Sequence, residues 1–191
     1  PLGQPKTDIP DLLKFKYDYL RSLQGKGKGD GSRGRIGIPF GLNMYENLPF
    51  WFEMFTALNF EVVLSPESTR SLYIKGQQTI PSDTVCYPAK LLHGHITALL
   101  EEKVDAIFYP CMSYNFDEGM SDNHYNCPVV AYYPDLLNVN IPALSQVRYI
   151  HDNIGIHRPK DFEKKGAELL GREFGAPKRE AMAAIRRGYA A

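Results

Sequence analysis

The sequence predicts an α/β fold, a mostly parallel sheet flanked by helices in three layers, with helical segments at either end. Three observations lead there. Short apolar runs alternate regularly with longer stretches whose apolar residues recur at helical spacing. That strand–helix alternation implies parallel pairing through right-handed crossovers. The composition, 43% hydrophobic and 23% charged over 191 residues, gives enough apolar mass for a core and excludes a disordered chain.

Each element can be justified in turn. In residues 1–24 one short helical stretch sets Leu12, Leu13, Phe15, Tyr17, Tyr19 and Leu20 among Lys14, Lys16, Asp18 and Arg21. Residues 25–34, GKGKGDGSRG, have the composition of a flexible linker. They are not a dinucleotide loop, which must follow a strand and open a helix; these glycines precede the first strand, residues 35–39. Asn43 is expected to cap the next helix, with Glu46 completing a capping box and Pro49 tolerated in its early turns. Tyr45, Leu48, Phe52, Met54, Phe55 and Leu58 supply its apolar side. Residues 60–64 form the second strand, and Ser65-Pro66 is expected to open a helix running to about Lys75.

Residues 79–87 read as a polar loop. Pro88 then opens a helix carrying Ala89, Leu92, Ile96, Leu99 and Leu100, followed by a third strand at 104–109. Residues 110–126 are a long loop, 128–132 a fourth strand and 146–150 a fifth; helices are expected over 159–174 and 177–189. The expected organisation is a lead-in and linker (1–34), an α/β domain (35–152) and a helical tail (153–191) that begins a further domain or packs back.

Composition also narrows the function. Lys+Arg and Asp+Glu are both 22, so the basic excess of a nucleic-acid binder is missing. No apolar run reaches the roughly 18 residues needed to span a bilayer, and the first 20 residues lack a secretory core. Three cysteines are an odd count for a disulfide scaffold. They point to a reducing, cytoplasmic setting with thiols free for chemistry.

Two of those thiols are candidates. Cys86 falls at a helix start, where free N–H groups and the helix dipole favour an anion such as a thiolate, the metal-binding form. Cys111 follows the third strand, at the carboxyl edge where ligands of such sheets sit. The loop holding Cys86 is also a strand-to-helix loop, so both lie on one rim. Cys127, just ahead of the expected fourth strand, belongs at the amino edge, about 15 Å away by strand rise, and reads as structural, a metal ligand only if the long loop crosses over the top to bring it to the rim. His93 and His95, two apart on one helix, face different directions and cannot chelate one ion together. Ser82, Asp83, Thr84 and Tyr87 border Cys86, and Tyr114, Asn115, Asp117, Asp122 and His124 lie in the long loop, a length more often functional than accidental. No hydrolase triad, nucleophile elbow or phosphate-binding loop appears. A half-buried structural cysteine, a metal-free redox thiol at Cys86 and a non-catalytic scaffold docking partner domains are the competing readings.

The segments 36–39 and 42–46, Val63-Leu64-Ser65-Pro66, residues 80–90 around Cys86, His93-Gly94-His95 and Tyr109-Pro110-Cys111 resemble the acyl-CoA dehydratase activase-related domain. That family is similar to the subunits of 2-hydroxyglutaryl-CoA dehydratase. The resemblance implies a flavodoxin/Rossmann-like domain in which Cys86 and Cys111 ligate a [4Fe–4S] cluster. The third ligand would come from a second domain or another chain. Ser82, Asp83, Tyr87, Tyr114 and Asn115 would surround the cluster and tune its potential. It further implies an ATP-dependent activase as electron donor and an acyl-CoA thioester as a substrate of the system. No nucleotide site is expected in this chain, and no catalytic residue is assigned. The expected function is a cluster-binding module in ATP-driven, low-potential electron transfer, with any lyase or reductase activity requiring more than this chain.

Overall fold

The computed structural model describes residues 10–25 and 29–191. Four strands, β1 (Arg35–Ile38), β2 (Glu61–Leu64), β3 (Ala106–Phe108) and β4 (Arg148–Ile150), form one parallel sheet in the order β2-β1-β3-β4. The register aligns Ile36 with Val62 on one side and with Ala106 on the other, and Ala106 with Arg148 beyond. The chain winds outward from β1 to β2 and then returns across to β3. The carboxyl ends of β1 and β3 therefore flank the switch point at which sheets of this type take ligands.

One face of the sheet carries α3 (Leu48–Ala57), α7 (Pro159–Phe174) and α8 (Lys178–Tyr189). Its core is aromatic: Phe108 lies 4.9 Å from both Trp51 and Phe55, and Phe50 packs on Tyr189 at 4.8 Å. The tail helices pack back here, α8 against both α3 and α7. The other face carries α4 (Arg70–Gly76), α5 (Tyr87–Glu101) and α6 (Pro128–Asn140). Helices α4 and α5 cross with their backbones in contact, because a Cβ added to Gly94 would lie 2.0 Å from the carbonyl oxygen of Leu72. The N-terminal helix α1 (Leu12–Ser22), capped by Asp11, and the short α2 (Leu42–Glu46) complete the structure. Of the glycine-rich stretch at 25–34, residues 26–28 lie outside the described residues.

Five expectations are corrected. Residues 128–132 are the start of α6, not a strand. A short apolar run such as Val129-Val130-Ala131 fits either element. Pro128 sits in the first helical turn, where its missing N–H is harmless, and burial continues at helical intervals through Ala131, Pro134 and Leu137. The fourth strand is instead Arg148–Ile150. As a result Cys127 is the N-cap of α6, on a strand-to-helix loop at the carboxyl edge and not the amino edge.

Asn43 does not cap; it is buried, and its amide donates to Met112 Sδ at 3.3 Å. The expected single helix breaks at Asn47, because Pro49 has no N–H to donate backward, and restarts as α3. Ser65 opens no helix. Its hydroxyl is fully buried, accepting from the Phe40 N–H at 2.7 Å and bonding His95, and Thr69 caps α4 in its place.

Candidate functional site

The carboxyl edge gathers the cysteines. Cys86 is the N-cap of α5, exposed, and its side chain caps no backbone N–H. The free donors of the first turn and the dipole of a fifteen-residue helix therefore face this end. Tyr87 beside it is half exposed and packs on Tyr73 at 5.5 Å. Ser82 and Thr84 bond each other at 2.8 Å, and the Asp83 carbonyl accepts from Lys90 Nζ at 2.8 Å. These residues shape the loop leading to Cys86.

Cys111 is buried and continues the β3–β4 pairing, its N–H donating to the Asp152 carbonyl at 3.1 Å and its carbonyl accepting from Ile154 at 2.9 Å. Burial, and then the Asp135 carboxylate, push its thiol up to about 11. Cys111 is thus a protonated thiol at neutral pH, and a metal binding there must displace that proton. Asp135 in turn accepts from His151 Nδ1 at 2.7 Å, nearer the surface.

Between the two cysteines lies a polar cluster that sequence reading did not single out. Side chains alternate along a strand. Phe108 enters the aromatic core, so Tyr109 turns to the opposite face, where burial pushes its phenol up. Burial likewise pushes the Tyr133 phenol on α6 up to about 12. The Tyr133 hydroxyl meets His93 Nε2 at 3.0 Å, and His93 Nδ1 meets Thr79 Oγ1 at 2.7 Å. Thr79 donates its own proton to the Gly76 carbonyl at 2.9 Å. It must therefore accept from Nδ1–H, which leaves Nε2 to accept from Tyr133. His93 is accordingly neutral, held down to about 4 by burial. The only signal available in the sequence was strand parity, which sets Tyr109 and Cys111 on one face.

His95 belongs elsewhere, between Ser65 (2.7 Å) and Ser68 (2.9 Å), and is likewise held down to about 4 by burial. The two histidines therefore face different partners, as their spacing requires. Of the long-loop residues, Tyr114 stacks between Tyr125 (4.2 Å) and His157 (4.7 Å), and Asn115 accepts from Asn47 Nδ2 at 3.1 Å. The loop is pinned to the site's edge by these contacts. A cavity of about 540 Å³ opens beyond β4, lined by Tyr114, Asp152, His157, Lys165 and Arg172, and none of the cysteines borders it.

Cysteine sulfur suits iron–sulfur chemistry. Cys86 is open to a ligand, and the fully buried Tyr109 hydroxyl has no hydrogen-bond partner. The donor set fits such a group in kind, but not in number. Among the described residues no three His, Cys, Asp or Glu side chains converge closely enough to hold an ion. Nor, among the described residues, is any helix long and apolar enough to cross a membrane.

Residues 35–191 match the family model described as CoA enzyme activase uncharacterised domain. No curated protein and no solved structure matches the chain.

Proposed function

The chain belongs to the CoA enzyme activase domain family, and from that premise we propose that its carboxyl rim holds part of an iron–sulfur centre through Cys86 and Cys111. The observation that supports this reading is the placement of two cysteines on one rim, Cys86 at the start of α5 and Cys111 just past the end of β3. When bound, the centre supplies one-electron transfer at low potential.

The chain's own residues supply the rest. The first turn of α5 offsets negative charge at Cys86. The thiol proton of Cys111 leaves toward the Asp135 carboxylate, which His151 connects to the surface. Burial keeps water from the Cys111 sulfur, whereas Cys86 stays open on the rim. The ligands still needed come from a second domain or chain. The partner is an ATP-dependent activase, and the substrate of the assembled system is an acyl-CoA thioester.

Anaerobic reconstitution with iron and sulfide, carried out on the longer protein or complex that supplies the remaining ligands, tests the reading. Bound iron and sulfide are expected in equal amounts. Cys86→Ala and Cys111→Ala each abolish uptake, and Cys127→Ala leaves it unchanged. Full iron content in both of the first two variants contradicts the reading. The exposure of Cys86 at a helix start also favours a metal-free redox thiol. Fast alkylation at neutral pH that neither chelators nor iron loading alters would favour that alternative.

A further inference from the structure

The two edges of the sheet end differently. At the β2 edge the chain covers itself. Gln24, in the turn after α1, accepts from the outward Leu64 N–H at 3.3 Å, and a Cβ added to Gly29 would lie 2.1 Å from the Phe60 carbonyl oxygen. At the β4 edge Tyr109 donates to the Ile150 carbonyl and Cys111 to the Asp152 carbonyl. The alternate residues Tyr149 and His151 therefore turn their N–H and C=O groups outward. Among the described residues those main-chain groups meet no hydrogen-bond partner. A bare edge is a template for another strand, because its row of donors and acceptors matches an extended backbone. Val139, one turn beyond Asp135 on the side of α6 that reaches His151 over this edge, is 79% exposed.

The side chains along this edge select the strand that fits. The run Arg148-Tyr149-Ile150-His151-Asp152 is complementary to itself read backwards. We propose that β4 is the interface of a two-fold dimer, in which the β4 strands of two copies pair antiparallel about Ile150 and join the two four-stranded sheets into one. That register sets Arg148 opposite Asp152 of the second copy, Tyr149 opposite its His151, and Ile150 opposite itself. Strand parity keeps these pairs on matching faces. Arg148 lies over the Phe174 ring and Asp152 bonds Arg172, both on α7. Tyr149 and His151 bond Pro134 and Asp135, both on α6. The outward groups of Tyr149 and His151 supply the ladder, exchanging both bonds on each side of the two-fold axis. Opposite charges directly across a pair of strands stabilise it, and like charges there destabilise it. Parallel pairing in register would set Arg148 against Arg148 and Asp152 against Asp152, so the charges specify the antiparallel arrangement. The interface is isologous, as closed dimers require. It involves none of the cysteines and stands apart from the reading of the rim as a metal centre.

Sedimentation equilibrium on the full chain tests it by charge exchange. The wild-type chain should dimerise, with the amides of Tyr149 and His151 protected from hydrogen exchange. Arg148→Asp and Asp152→Arg each set like charges across the axis twice, and each should weaken the dimer by about a hundredfold. Mixing those two variants should restore association as a heterodimer, and combining both changes in one chain should restore the homodimer. Restoration in the mixture also shows that each variant has folded. A wild-type chain that stays monomeric at every concentration reached overturns the proposal. So does a dimer that both single variants leave intact, since it would use another surface. Two weakened variants that do not associate when mixed overturn it as well. If the Tyr149 and His151 amides become protected only on adding a different protein, the edge takes a partner's strand, and the proposal again fails.

Discussion

The two faces of the sheet are built from the same strands and filled with opposite chemistry. Under α3, α7 and α8 the core is rings on rings: Phe50, Trp51, Phe55, Phe108, Phe162 and Tyr189. Under α4, α5 and α6 the same strands meet His93, His95, Tyr109, Tyr133, Tyr149 and Cys111, most of them buried, with His93 bonded to Tyr133, His95 to Ser65 and Tyr149 to the Pro134 carbonyl. Adjacent residues of one strand make the point, Phe108 facing rings and Tyr109 facing phenols and a thiol. Apolar contacts alone hold a helix layer in place. Polar groups that must each find a partner hold it less cheaply. The proposed site lies on the polar face.

Acid should separate the faces most strongly. His93 and His95 are neutral and held down to about 4 in the fold, against an ordinary value near 6.5 when unfolded. Between those values the unfolded chain binds more protons than the folded one. Stability is therefore full above about pH 6.5 and falls as pH drops toward 4, by about 5 kcal/mol for the pair at pH 4.5. Urea midpoints across that range check it. His95→Gln should flatten the curve by about half, and an unchanged curve would mean the histidine is not the titrating group.

Trp51→Ala, on the aromatic face, should cost about 4 kcal/mol through the cavity it leaves, with the alkylation rate of Cys86 in the folded protein unaltered. Gly94→Ala, on the polar face, forces a methyl onto the Leu72 carbonyl. It should cost about 3 kcal/mol by prising α4 from α5, and here the environment of Cys86 should change as well, read as an altered alkylation rate. Tyr133→Phe is the mildest of these. It leaves His93 Nε2 without its donor, for about 1–2 kcal/mol, and raises the pH at which His93 protonates, seen in the imidazole resonances by NMR.

Much of this was legible in advance, for physical reasons. The helices α7 and α8 carry strong helical periodicity, and the three strands β1 to β3 are short apolar runs bounded by breakers, so both were read from pattern alone. The run Pro128-Val129-Val130-Ala131-Tyr132 reads equally as a strand because five residues cannot reveal their period. Reading it as a strand moved Cys127 to the wrong edge of the sheet. Asn43 and Ser65 look like helix caps locally, but tertiary partners, Met112 Sδ for one and Phe40 N–H with His95 for the other, claim their side chains. The edge position of Cys111 followed from topology; Cys86 lies at the same edge because α5 runs back into β3, although the loop before it follows α4 and a 3-10 turn and not a strand as expected. The tyrosine pair between them was not legible, because it depends on which way α6 faces.

The most direct measurement is a cysteine footprint by mass spectrometry, before and after anaerobic loading with iron and sulfide. In the unloaded protein, iodoacetamide should label exposed Cys86 and Cys127 and spare buried Cys111. After loading, Cys86 should become protected while Cys127 labels as before. Equal labelling of Cys86 in the loaded and unloaded protein would contradict the assignment of this rim as a metal centre.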